Sequence, residues 1–135
     1  MTTLSTRIRA AAVTVAVGAA ALAAGAPAAA KDGGDRGVRR SGACTAGAVW
    51  KLKAKHDDGR IETEFEVDSN RVGQHWRVRI SDNGVRVFRG VRQTVAPSGS
   101  FSVERHIPNR AGTDRIRAVA VHVPTGQRCV ATVQL

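Results

Sequence analysis

From Arg60 to Asp68 the chain alternates without a slip, with Ile61, Thr63, Phe65 and Val67 on one side and Glu62, Glu64 and Glu66 on the other. Successive side chains of a strand point to opposite faces, so this period of two makes a half-buried β-strand. The period returns at Trp76, Val78 and Ile80, which alternate with Arg77, Arg79 and Ser81 before Asp82-Asn83-Gly84 and then Val85 and Val87. Asn-Gly readily takes positive φ, which makes this segment the clearest hairpin in the chain. Asp57-Asp58-Gly59 marks a second hairpin, joining residues 49–55 to Arg60–Asp68. Ala96-Pro97-Ser98-Gly99 interrupts the chain ahead of a strand over 100–107 that carries Phe101 and Val103. After a loop at 108–112, residues 115–123 read as a central strand, and Pro124-Thr125-Gly126 turns it into Gln127–Gln134. Seven antiparallel strands joined by short turns describe an all-β sandwich, with a small β-barrel as the alternative. No helical period appears after residue 30.

The first thirty residues stand apart. Arg7 and Arg9 precede an uncharged run over 10–26 built almost wholly of Ala, Val, Gly and Leu, and Pro27-Ala28-Ala29-Ala30 follows before Lys31. A basic start, an apolar middle and a small-residue exit are the pattern of a cleavable signal peptide over residues 1–30, with cleavage after Ala30. A retained anchor is the competing reading, since the run is long enough to cross a bilayer. Its Ala/Gly composition inserts weakly, and Pro27 breaks a helix where a cleavage site wants it. The mature form is therefore expected to carry no membrane span. Cleavage would remove two arginines and no acid, taking the formal net charge from +10 to +8. Residues 31–43 hold charges, glycines and little apolar surface, which predicts a flexible basic tail ahead of a domain over 44–135.

Both cysteines, Cys44 and Cys129, fall in that domain, 85 residues apart. An exported chain folds where thiols oxidise, so the pair is expected to form one disulfide. Closing a loop of that length stabilises by about 4 kcal/mol in the chain-entropy model, against a net stability that for a small domain is often only about 5 kcal/mol.

Seven short strands with Trp76 on the third resemble an immunoglobulin-like or fibronectin-type sandwich. The cysteines, however, lie before the first strand and on the last, and the chain has no Tyr for the tyrosine corner of antibody domains. In its signal peptide, its Ala/Arg/Gly/Val-rich composition and its size, the chain also resembles small secreted β-sandwich proteins of actinobacteria. That likeness brings no activity and no site residues with it.

In a sandwich of this type the second and fifth strands pair in one sheet, while the third and sixth belong to the other. Glu62, Glu64, Glu66 and Glu104 would then face outward on one sheet. Arg77, Arg79, Arg86, Arg115, Arg117 and Arg128 would face outward on the other, as a candidate anion-binding face. Every basic side chain from Arg71 to Arg128 is arginine, whose planar fork grips phosphate or carboxylate. The plainer reading is that both faces are charged for solubility and to protect strand edges. Trp50, near the start of the first strand, is a candidate ligand contact if it is exposed.

Other chemistry finds no pattern. His56, His75, His106 and His122 sit in four separate segments without metal-ligand spacing, so no metal is expected. Asp57, Asp58 and Asp82 read as turn formers. Ser98 and Ser100 lack the Gly-x-Ser-x-Gly elbow, and no catalytic residue or cofactor is expected. The positive charge would give salt-sensitive affinity for nucleic acid. Single-strand binding wants exposed aromatics, however, and Phe65, Trp76 and Phe101 belong to the core; export also removes the chain from cytoplasmic nucleic acid. The expectation is a secreted, non-catalytic binding module whose partner is an anionic envelope polymer or an acidic protein. Two other roles compete with it: a protease inhibitor presenting residues 107–112, and a structural protein that self-associates, acidic sheet on basic sheet. The ligand and the oligomeric state stay open.

Overall fold

A computed structural model describes residues 37–135. The expected signal peptide and the first part of the expected tail, residues 31–36, lie outside the described residues. Eight strands follow one another: β1 (Val38–Ala43), β2 (Val49–Asp57), β3 (Arg60–Asp68), β4 (His75–Asp82), β5 (Val85–Gln93), β6 (Ser100–Pro108), β7 (Arg115–His122) and β8 (Gln127–Gln134). They form two antiparallel four-stranded sheets, ordered β1-β2-β3-β6 and β5-β4-β7-β8. The sandwich-like all-β class therefore holds, with eight strands in place of seven. β3 pairs with β6, and β4 and β7 lie together in the other sheet, as expected for a sandwich of this type. Among the described residues no helix is long and apolar enough to cross a membrane.

The extra strand corrects the expected tail. Val38–Ala43 is not loose chain but an edge strand, with Val38 opposite Ala54 and Ala43 opposite Val49. Backbone pairing with the otherwise open edge of β2 orders it, helped by Val38 packing against the core. Pairing of this kind needs no apolar period in the added strand.

The two hairpins turn as their sequences require. Asp58 and Gly59 have φ of 44° and 74°, and Asn83 and Gly84 have φ of 47° and 83°. Two consecutive positive φ values make a turn whose twist matches the strands it joins. Asn83 does more than turn: its Oδ1 accepts from Arg115 N at 3.0 Å and its Nδ2 donates to Thr113 O at 3.1 Å.

Inward positions close one core between the sheets. Leu52, Ile61, Phe65 and Val67 from one sheet meet Trp76, Val78, Ile80 and Ile116 from the other, all fully buried. Trp76 lies between Phe101 and His122, with ring centroids 6.3 and 5.3 Å away. The Cys44–Cys129 disulfide forms, joining the residue that follows β1 to the third residue of β8. A 3-10 turn at Thr45–Gly47 follows Cys44 and is riveted to the same strand. Arg128 N donates to Thr45 Oγ1 at 2.8 Å, and Gln127 Nε2 donates to the carbonyls of Thr45 and Ala46 at 2.7 and 3.0 Å.

Candidate anion-binding face

The outer surface of the β5-β4-β7-β8 sheet is set by register. Arg79 lies directly opposite Arg89 on one side and Val119 on the other. One rung along, Arg77 lies between Val91 and Val121, and Val121 in turn faces Arg128 on β8. One rung the other way, Ser81 lies between Arg86 and Arg117. Arg115 follows at the end of the face, opposite Gln134. The six arginines expected there all share this face, and Arg89 joins them.

Alternation alone could not find Arg89. Arg86 and Arg89 are three residues apart and should point to opposite sides, but the β4–β5 register shifts between Ile80 and Ser81, so that Ile80 pairs with Phe88 and Ser81 with Arg86. This irregularity absorbs one residue of β5 and returns both arginines to the outside.

No acidic residue occupies this face. None of the seven arginines has a carboxylate within ion-pair distance among the described residues. Their arrangement is electrostatically unfavourable in the empty protein, because like charges directly opposite across strands repel. The guanidinium groups stand over an apolar floor. Val119, on an outer position, keeps only 4% of its surface exposed, as expected when arginine stems lie along apolar surface. A depression of about 450 Å³ is lined by Arg77, Arg79, Arg86 and Arg89 above Val91, Val119 and Val121. A second, of about 260 Å³, continues from it past Ser81 and Gly84 to Arg117, and the two share Arg79, Arg86 and Val119.

The opposite sheet overturns the expected acidic face. Lys51, Lys53 and Lys55 of β2 stand directly across from Glu66, Glu64 and Glu62 of β3. Lys51 Nζ reaches Glu66 at 3.3 Å and Lys55 Nζ reaches Glu62 at 2.9 Å. Between β2 and β3 the surface is a ladder of opposite charges, as cross-strand charge pairing favours, while on the other side of β3 Glu64 faces Glu104. A self-association of acidic sheet on basic sheet thus loses its acidic partner.

Trp50 is also corrected as a ligand contact. It shares the inward side of β2 with Leu52 and Ala54, is partly buried against the core, and lies over Gly42, where a Cβ would come within 2.7 Å of its Cζ2. It is no part of the arginine face.

Two clusters escaped the sequence reading because each depends on pairing between distant strands. On the β1-β2-β3-β6 sheet, His106 Nε2 stands 3.3 Å from Asp57 Oδ2 and 4.0 Å from Glu62 Oε2. These three side chains converge closely enough to hold a metal ion, although the Lys55 ammonium already sits on Glu62. At one end of the core, Asp82 and Asp114 are both buried, which removes Asp82 from the turn formers. Asp82 closes β4 on the inward side, and both its carboxylate oxygens lack a hydrogen-bond donor. Burial first, and then the Asp114 carboxyl, push the Asp82 carboxyl above its ordinary range, while Arg110 Nε at 3.5 Å pulls it down. Arg110, though still half-exposed, thus reaches back from its loop to Asp82.

Comparison of the chain with protein-family models, with curated proteins and with solved structures finds no match.

Proposed function

We propose that this protein is a secreted, non-catalytic module that binds an anionic polymer through the outer face of the β5-β4-β7-β8 sheet. One observation carries the reading: every charged side chain on that face is an arginine, and none is neutralised by a neighbouring acid among the described residues. The other sheet shows what the same fold does with charges kept for solubility, pairing Lys and Glu rung by rung. An unpaired array on one side of so small a domain supports a binding surface over a merely solvated one. Guanidinium groups stay protonated across the physiological range and neither give nor take protons, so the trough is suited to holding an anion and not to acid–base chemistry.

The secreted reading rests on residues 1–30 and on the disulfide, which persists in oxidising compartments. The likeness to immunoglobulin-like and fibronectin-type sandwiches is supported by the β3–β6 and β4–β7 pairings and by Trp76 in the core. Retention on an anionic support is the test. The protein should bind at low salt and release as salt rises, and reversing Arg77, Arg79 and Arg117 to Glu should abolish retention. Retention that ignores salt, or that survives the triple reversal, would contradict the proposal.

A further inference from the structure

The two depressions on the arginine face are one trough, and its dimensions select among anions. This step rests on the anion-binding reading above. The trough follows β4 from Arg77 to Ser81, which at the rise of an extended strand is about 13 Å. Along it, cationic positions recur every second residue, about 6.7 Å apart, and neighbouring strands repeat them at about 4.8 Å. Arg79 faces Arg89 at the centre, and Arg86 and Arg117 flank Ser81 at one end. Beside Arg77 and Arg79 lie Val91 of β5 and Val119 and Val121 of β7, whose side chains carry no hydrogen-bonding group.

We infer that the trough takes an extended phosphodiester chain whose phosphates are separated by a short, non-aromatic, polyol-like spacer. The phosphate of such a diester offers two anionic oxygens to a guanidinium fork, the geometry in which Arg binds most strongly. A glycerol-sized spacer sets successive phosphates at about the two-residue period of the strand, and its carbon chain lies on Val119 and Val121. A polyuronate carries its carboxylates on rigid rings, which cannot adjust their spacing to the arginines as a flexible spacer can. Inorganic polyphosphate packs its charges far more closely than the arginines recur. Nucleic acid has the right linkage, but no Phe or Trp occupies this face to stack its bases.

Calorimetric titration of the purified protein tests the inference, with four probes matched in charge number and ionic strength: a glycerol-phosphate oligomer, an abasic oligodeoxynucleotide, oligothymidylate and oligogalacturonate. The glycerol-phosphate and abasic chains should bind about tenfold more tightly than the galacturonate, and oligothymidylate no better than the abasic chain. If all five trough arginines each neutralise one phosphate, affinity should fall with log salt at a slope of about −3.5. Arg79→Gln with Arg89→Gln should bring that slope to about −2 and cost at least tenfold in affinity. Arg39→Gln, on the other sheet, should change neither.

Equal binding of phosphodiester and carboxylate chains would overturn the inference while leaving the broader anion-binding reading intact. Tighter binding of oligothymidylate than of the abasic chain would overturn the non-aromatic spacer and move the source to nucleic acid. A phosphodiester preference unaffected by the Arg79/Arg89 variant would overturn the trough as its location. No salt-sensitive binding to any probe would remove both this inference and the reading it rests on.

Discussion

If the arginine face is built for an anion, the empty protein should be less stable than it could be, and removing an arginine should stabilise it. Arg79 is the position to change. It lies on β4, in the middle of the sheet, opposite Arg89, with Arg77 two residues away on the same side. A like-charge pair directly across strands costs roughly 0.2–1 kcal/mol, and the flanking arginines add to it at low ionic strength, where the Debye length reaches about 30 Å at 0.01 M. Glutamine keeps most of the stem that covers Val119 while removing the charge. Arg79→Gln should therefore raise stability by about 0.5–1 kcal/mol in 0.01 M chloride, a rise of about 2–6 °C in Tm for a domain of this size. In 0.5 M chloride the difference should shrink to about 1 °C or less as screening removes its cause. Thermal melts followed by circular dichroism at the two salt concentrations decide it. A variant that melts lower than the parent at low salt, or an advantage that persists unchanged at high salt, would refute the reasoning.

Other consequences follow from the core and its ends. A carboxyl whose folded value lies above its unfolded value of 3.8 binds protons more tightly when folded, so stability should fall as pH rises from about 4 through the raised Asp82 value. Asp82→Asn should flatten that dependence and stabilise by about 1–2 kcal/mol at pH 8, because the amide donates to a carboxylate neighbour left without a partner and Arg110, half-exposed, returns to water; chemical denaturation at pH 4 and pH 8 measures it, and a destabilised variant at pH 8 would count against the buried acid pair. Replacing Cys44 and Cys129 together by Ala should cost about 2–4 kcal/mol, seen as a lowered denaturant midpoint that reductant no longer shifts. Asn83→Ala should cost about 2 kcal/mol, since it loses both side-chain hydrogen bonds to Thr113 and Arg115 and places alanine at positive φ; equilibrium unfolding gives the value.

What the sequence disclosed and what it hid divide along one line. Features written into a single strand were legible: the alternation at Ile61–Val67 and Trp76–Ile80, the Asp-Gly and Asn-Gly turns, and the core role of Trp76 and Phe65. Features that depend on which strand lies beside which were not. The glutamates of β3 looked like an acidic face because the lysines of β2, their cross-strand partners, were not set against them. Val38–Ala43 looked like tail because an edge strand ordered by backbone pairing needs no pattern of its own. Arg89 was lost to a shift in register, the convergence of Asp57, Glu62 and His106 to pairing across three strands, and the burial of Asp82 to its position beside a turn. The six arginines were found because the third, fourth, sixth and seventh of the expected strands did assemble into one sheet.

The central claim is that ligand contacts the arginines of one sheet and leaves the lysines of the other alone. Side-chain nuclear magnetic resonance during titration with a glycerol-phosphate oligomer reads this directly, through the Nε–Hε signals of arginine and the Nζ signals of lysine. The account predicts saturable shifts at Arg77, Arg79, Arg89 and Arg117, with Arg39, Lys51 and Lys53 unmoved. Shifts spread evenly over both sheets, or confined to the Lys51–Lys55 ladder, would contradict it.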